Sequence, residues 1–562
     1  MLKLAPPAAL LALALALLAL ALGALPVQAE PAADALFWGG PIHTGAQASP
    51  TAQAVAVKDG RIVFVGDRAG AEALRGAETQ VVDLGGAALF PGFVDGHAHL
   101  RGIGERELTL NLEGSVSAAQ AMERLAEHLK TAPAEGTVVG RGWIETGWPE
   151  GRFLNRQDLD AVAPDRPVLL IRADGHALVA NSAALAAAGI DAMTTAPEGG
   201  EILKDEDGAP TGMLIDNAMG LAAKLNTRPS EAQKLAAYRA AFAVETRYGW
   251  TGVHNMSVDF ADVPLLEAMA AQGQAPMRVY NAVDLESAGP LLKSGPRPGS
   301  DGRIVTRAVK LYIDGALGSR GAALHEPYAD APHSRGMLVS DPAEVAKALA
   351  RAKDAGVQVA THAIGDRGNT VVLDLYQDAF RDDPHAAGPA RWRIEHAQII
   401  RPGEIERFAD QQVIASMQPS HAIGDLHFAP ARLGMARLDG AYAWKSLEDA
   451  GALVVGGSDA PVERGDPLIE FYAAVARKDL KGFSAEGWRP EEALSRPAAL
   501  ALFTTAPAYA AFAEDELGTI EVGKRADFSA FSVDLMSAPV EEIPKGRAVL
   551  TVVDGQIVYD GR

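Results

Sequence analysis

The sequence predicts an α/β fold: a (β/α)8 TIM-like barrel with a small β-sandwich made from both chain ends and an inserted cap subdomain. Three observations predict it. Eight apolar runs recur between Val94 and Asp459, most of them separated by Ala- and Leu-rich helical stretches, which is the alternation and the count of a parallel barrel. Short alternating strands punctuated by Asp-Gly turns occur in the same style near both ends of the chain. A gap in the barrel alternation, from about residue 113 to 236, is long enough to hold a structured subdomain of its own. The 562 residues suit one large barrel plus a smaller domain, and 48% hydrophobic with 22% charged residues is ordinary globular composition.

Taken in order, residues 1–29 read as a Sec signal peptide. Lys3 precedes an apolar run from Ala8 to Ala24, and Val27-Gln28-Ala29 places small residues before a cleavage point after Ala29. The alternative is an uncleaved anchor, because the run approaches spanning length. Cleavage predicts a periplasmic or secreted protein without stable membrane association. The chain has no cysteine, which excludes disulfides, thiolate nucleophiles, Cys zinc ligands and a lipoprotein anchor. Its formal charge is −21, or −22 once Lys3 leaves with the leader, so nucleic acid is not an expected partner.

Residues 30–89 and 505–562 form the expected composite β-sandwich. Ala54–Val57 and Arg61–Val65 flank the turn Lys58-Asp59-Gly60, and the far end offers Gly518–Val522, Ala526–Phe531 and Val549–Val553 before the turn Asp554-Gly555. Residues 90–504 form the barrel. Its strands are read at Val94–His99, Gly252–Met256, Met277–Ala282, Val309–Ile313, Gln358–His362, Arg393–His396, Val413–Gln418 and Ala452–Asp459. The insertion at 113–236 is expected to cap the barrel mouth. Its aromatic residues Trp143, Trp148 and Phe153 lean towards a hydrophobic acyl or aryl group on the substrate.

The chemistry starts at Phe90-Pro91-Gly92-Phe93-Val94-Asp95-Gly96-His97-Ala98-His99, where two imidazoles at i and i+2 share one face of a strand. By itself His-x-His is a weak signal. Lys310, His362, His396 and Asp459 each lie at or near the end of a later strand, and barrel active sites form at that rim. Six potential ligands on one rim point to a divalent metal centre. Burial disfavours the charged form of Lys310, and its free amine can react with carbon dioxide to give a carbamate that bridges two metals. The alternative for Lys310 is an ordinary ammonium paired with a carboxylate such as Asp314.

At these residues the chain resembles the amidohydrolase superfamily. Lys310–Arg320, Thr361-His362-Ala363-Ile364-Gly365-Asp366, Ile394-Glu395-His396-Ala397 and Gly457-Ser458-Asp459-Ala460-Pro461 resemble its YtcJ-like branch, which includes N-substituted formamide deformylase. The likeness runs from about Ala35 to Arg562. It implies two metals, with zinc as the default: His97, His99 and Asp459 on one, His362 and His396 on the other, and carboxylated Lys310 between them. Asp459 is then the general base that takes a proton from the metal-activated water and passes it to the leaving nitrogen. The implied reaction is hydrolysis of a non-peptide C–N bond in an amide, formamide or N-acyl compound.

The alternatives are a deaminase, which Lys310 disfavours, or a cyclic-amide hydrolase of the same superfamily, and a catalytically silent exported binding protein, which the full ligand set disfavours. No Gly-x-Ser-x-Gly elbow supports a serine hydrolase. Residues expected near the substrate are His176 in the insertion, Arg320 on the loop after the fourth strand, Asp366 beside Arg367, His254 and His421. The expected partners are a small-molecule substrate and, for assembly, a second copy of the chain in a homodimer.

Overall fold

The computed structural model of the chain describes residues 32–132, 136–225, 229–299, 302–484 and 487–562. The leader read at residues 1–29 lies outside them. Among the described residues no helix is long and apolar enough to cross a membrane.

The eight barrel strands are β1 (Phe93–Ala98), β2 (Trp250–Val258), β3 (Arg278–Asp284), β4 (Ile304–Tyr312), β5 (Gln358–Ala363), β6 (Arg393–His396), β7 (Ile414–Met417) and β8 (Val454–Gly456). They pair in sequence order, each parallel to the next. β8 and β1 meet without a ladder. Their seam is closed just beyond the strands, where Asp459 N–H donates to His97 O at 2.7 Å and His99 N–H donates to Ala460 O at 2.7 Å. Glycine makes this approach possible, because a Cβ on Gly96 would stand 2.4 Å from Gly456 O and one on Gly457 would stand 2.4 Å from His97 N. Asp95 pins the seam by accepting from Ser458 N–H at 2.9 Å and from the Ser458 hydroxyl.

Helices follow the strands as the sequence predicts. The long helix Glu231–Tyr248 starts on a capping box between Ser230 and Gln233 and stops at Gly249, whose φ of 107° ends it in the left-handed region. Phe93, Trp250 and Phe503 meet around the starts of β1 and β2, with ring centroids 5.9 to 6.3 Å apart.

Both chain ends enter one eight-stranded sheet. Phe528–Phe531 pairs antiparallel with Ala88–Pro91, which in turn meets Ala35–His43. The sheet turns back on itself: Ile62 N–H donates to Lys524 O at 2.9 Å, Gly523 N–H donates to Ile62 O at 2.8 Å, and Phe37 packs edge-on against Phe528. Asp59 and Gly60, with φ of 49° and 73°, and Asp554 and Gly555, with φ of 50° and 73°, make the expected left-handed hairpin turns. Gly518–Val522 is not a strand; it runs beside the N-terminal segment, where Ile520 N–H donates to Thr44 O at 2.8 Å. The helix Thr505–Ala510 packs on the barrel through Ala506 and Ala510 against Ile414 and Val455, so the C-terminal part of the composite sheet starts beyond it.

The insertion folds around its own six-stranded sheet, from Leu110–Asn111 to Pro210–Asp216. Helices cover both faces and bury two apolar clusters. Trp143 and Trp148 are buried in the first of these, their indole N–H groups donating to Leu170 O and Ser115 O, and Phe153 packs against the same cluster. This corrects the expectation that these rings shape the substrate pocket: they are the core of the cap, whose separate sheet needs large apolar side chains of its own.

Candidate metal centre

All six residues singled out on the rim converge. His97 projects inward from β1, and His99 follows one residue past its end. Lys310 lies near the end of β4, His362 near the end of β5, and His396 closes β6. Asp459 sits three residues beyond β8. His396 and Asp459 carry left-handed backbone, with φ of 73° and 56°, which turns both side chains back over the barrel axis.

Asp459 is the hub. Its Oδ1 stands 3.1 Å from His99 Nε2 and 3.3 Å from His97 Nε2, and its Oδ2 stands 3.6 Å from His421 Nε2. Asp459 Oδ1 and His421 Nε2 are nonetheless buried without a hydrogen-bond partner. Donors held this close but unbonded match the edge of a tetrahedral zinc shell, about 3.3 Å for ligands at the usual metal distances. Two groups of three can share an ion: His97, His99 and Asp459, and His396, His421 and Asp459. His362 joins neither group, but its ring stands edge-on to His396 with centroids 4.5 Å apart.

The hydrogen bonds behind the imidazoles fit a metal in front of them. His97 Nδ1 meets Glu395 Oε2 at 2.6 Å, His99 Nδ1 meets Met256 O at 3.2 Å, and His396 Nδ1 meets Gln418 Oε1 at 2.8 Å. Each acceptor holds the proton on Nδ1 and leaves the Nε2 lone pair facing the centre. Burial depresses the pKa of His99, His362, His396 and His421, so these rings stay neutral and able to ligate. For Asp459 burial acts upward, but the surrounding imidazoles, His97 first, hold the carboxyl well below its ordinary range.

Lys310 is 1% exposed, and burial pulls its ammonium down to about 8. Its Nζ lies 3.5 Å from His97 Nε2 and over the ring of Tyr312. Asp314 is not its counterion: that carboxylate accepts from the N–H groups of Ala323, Ile364 and Gly365 at 2.8 to 2.9 Å.

The residues expected near the substrate divide. His176 reaches over the mouth from the cap, held by Asp216 at 2.7 Å, with its ring 5.0 Å from that of His362. His421 faces the centre from the helix after β7. His254 is buried beneath it, its Nδ1 against an Arg393 nitrogen at 2.7 Å. Arg320 pairs with Asp330 and ties down its own loop, and Asp366 accepts from His325 N–H, both outside the mouth lining. The mouth is a cavity of about 820 Å³ lined by His99, Lys310, His362, His396 and Asp459 below and by Arg141, Asp174, His176 and Asp216 from the cap.

Sequence reasoning missed Glu395, which holds His97 from across the barrel, and Gln418, which holds His396 from just past β7. Glu395 left a signal: with Arg393 at i−2 it places an opposite-charge pair on the inward face of an otherwise apolar strand, and the two side chains meet at 2.7 Å.

A parallel barrel with imidazoles and a carboxylate gathered at the C-terminal rim defines a class, the metal-dependent hydrolases. The chain belongs to the amidohydrolase family, which it matches over residues 80–559. It is 35% identical to YtcJ of Bacillus subtilis over 94% of this chain and 99% of that one. It is 29% identical to the N-substituted formamide deformylase of Arthrobacter pascens, over 91% and 95% of the two chains. An uncharacterised metal-dependent hydrolase from Pyrococcus horikoshii has the same fold, with a TM-score of 0.72 at 27% identity over 90% of this chain and 99% of that one. The chain is thus a metal-dependent amidohydrolase.

Proposed function

We propose that this enzyme is exported and hydrolyses a non-peptide C–N bond in an amide, formamide or N-acyl compound. Two divalent ions, zinc by default, would be held by His97, His99 and Asp459 and by His362 and His396, with a carbamate on Lys310 between them. The carrying observation is Asp459, a buried carboxylate whose Oδ1 has no hydrogen bond although two imidazole nitrogens stand within 3.3 Å. When bound, the ions supply Lewis-acid polarisation of the carbonyl and lower the pKa of a bound water towards ~7.

The chain's own groups do the rest. Asp459, held ionised, takes the proton from the attacking water and delivers it to the nitrogen as the C–N bond breaks, giving a carboxylate (formate from a formamide) and an amine. His421, 3.6 Å from Asp459, would receive the carbonyl oxygen of the substrate. His176 and the cap close the mouth and exclude water. Lys310 supports the carbamate through its burial, which favours the free amine, the form that takes up carbon dioxide. Export rests on the leader pattern of residues 1–29. The N-substituted formamide deformylase relative makes N-formyl compounds the first substrates to try.

The test is elemental analysis of protein prepared without chelators, beside Lys310→Ala, followed by a screen of N-formyl and N-acyl amides. About two metals per chain, with at least one lost in the variant, is the expected result. One metal, unchanged in the variant, overturns the bridge.

A further inference from the structure

The cap sends one arginine into the mouth without giving it an anion. Arg141 lies on the cap strand Val138–Trp143, where Gly142 forms a bulge with φ of 99° and the register shifts between Arg141 and Trp143. The bulge puts these two side chains on opposite faces of the sheet. Trp143 enters the cap core, while Arg141 lines the cavity that holds His99, Lys310 and Asp459.

The other arginine that lines this cavity, Arg101, is paired, and so is Arg172 behind it in the cap. Arg101 meets Asp262 at 2.9 Å and Glu105 at 3.2 Å; Arg172 grips Glu145 through two bonds of 2.9 and 3.0 Å and also binds Asp174. Arg141 has neither kind of partner. Among the described residues no carboxylate stands within ion-pair reach of it, its Nε is buried and unbonded, and its guanidinium makes one long contact, to Ala173 O at 3.4 Å. The nearby acids are already engaged: Glu105 with Arg101, Asp174 with Arg172, Asp216 with His176, and Asp459 with the imidazoles. Burial, ahead of any neighbour, depresses the pKa of Arg141. A shielded guanidinium is costly to leave unpaired, and its planar fork matches a carboxylate.

We infer that Arg141 binds a carboxylate on the substrate, so that the enzyme takes N-acyl or N-formyl amino acids in preference to neutral amides. The inference rests on the C–N hydrolase reading for its reaction, but not for the anion site itself. The substrate then spans the cavity, its carboxylate on the cap and its scissile carbonyl at Asp459. Because Arg141 comes from the cap and Asp459 from the barrel, an N-acyl amino acid ties the two together, whereas a neutral amide touches the barrel side alone.

The test compares N-formyl-L-phenylalanine with N-formylphenethylamine, which lacks only the carboxylate, on zinc-loaded wild type, Arg141→Met and Arg141→Lys. Wild type is expected to favour the carboxylated compound in kcat/KM by on the order of 100-fold, mainly through KM. In Arg141→Met the ratio of the two values collapses towards one, and Arg141→Lys keeps part of it. An equal fall for both compounds, or no preference in wild type, overturns the inference. Calorimetric binding of N-acetyl-L-phenylalanine against its methyl ester, on the same proteins with melting curves to confirm folding, separates the two readings. Arg141-dependent binding of the acid without hydrolysis of either formamide leaves the anion site standing and overturns the C–N hydrolase. Equal binding of acid and ester in wild type and Arg141→Met overturns the anion site whatever the hydrolysis shows.

Discussion

Glu395 shows how much of a metal site lies behind its ligands. It accepts the His97 Nδ1 proton at 2.6 Å, and Arg393 and His97 hold it ionised against the pull of burial. Glu395→Gln can no longer fix that tautomer with a charge, and the expected outcome is a 10- to 100-fold loss of metal affinity, read by competition with a coloured chelator. The converging side chains of the rim were legible because strand-end positions can be recognised one strand at a time. Their supports were not: Glu395 and His97 are 298 residues apart, and only the closing of the barrel brings them together. Arg320 misled for a related reason, since a loop arginine looks the same whether it meets a substrate or, as here, Asp330.

Among the elements, the eight strands were readable because a strand packed on both faces leaves a continuous apolar run. Gly518–Val522 has the same alternation but borders a sheet that other segments complete, so it lies alongside as a loop. The helix Pro467–Ala476 carries a different consequence. Its Glu470 is buried, accepts from Ser420 N–H at 2.9 Å, and is raised by burial from 4.5 to about 8. The native state thus keeps a proton that the unfolded chain releases above about 4.5. Glu470's contribution to stability therefore falls as pH rises from about 4.5 to about 8, and is level on either side. Denaturant melts at pH 6 and 8.5 should show wild type losing ~2 kcal/mol more than Glu470→Gln, which keeps the shape and cannot ionise. Equal losses would place the titrating group elsewhere.

Across the whole molecule, the composite sheet is fastened to the barrel by polar and apolar contacts together. Arg278, at the start of β3, binds Asp527 through two bonds of 2.6 and 3.0 Å and reaches Asp554, while Phe531 packs on Phe93 with ring centroids 5.2 Å apart. Arg278→Met strands the buried carboxylate of Asp527, whereas Asp554 keeps Arg303 and Arg525. It is expected to cost about 3 kcal/mol and to lower the melting temperature without changing metal content, as calorimetry and elemental analysis would report. The hairpins on either side of the barrel were legible and lie in one sheet, but the partner of each strand was not, because pairing across the intervening barrel leaves no trace in local sequence.

The same sheet sets an order in time. Ala88–Pro91 is made before any strand of the barrel, but the neighbour that covers one of its edges, Phe528–Phe531, is made only after all eight. Until then the young chain carries a bare strand edge, the kind of surface on which unfinished proteins stick to one another. The returning strand thus acts as a latch, and a chain that stops short of it remains visibly incomplete to whatever inspects nascent proteins.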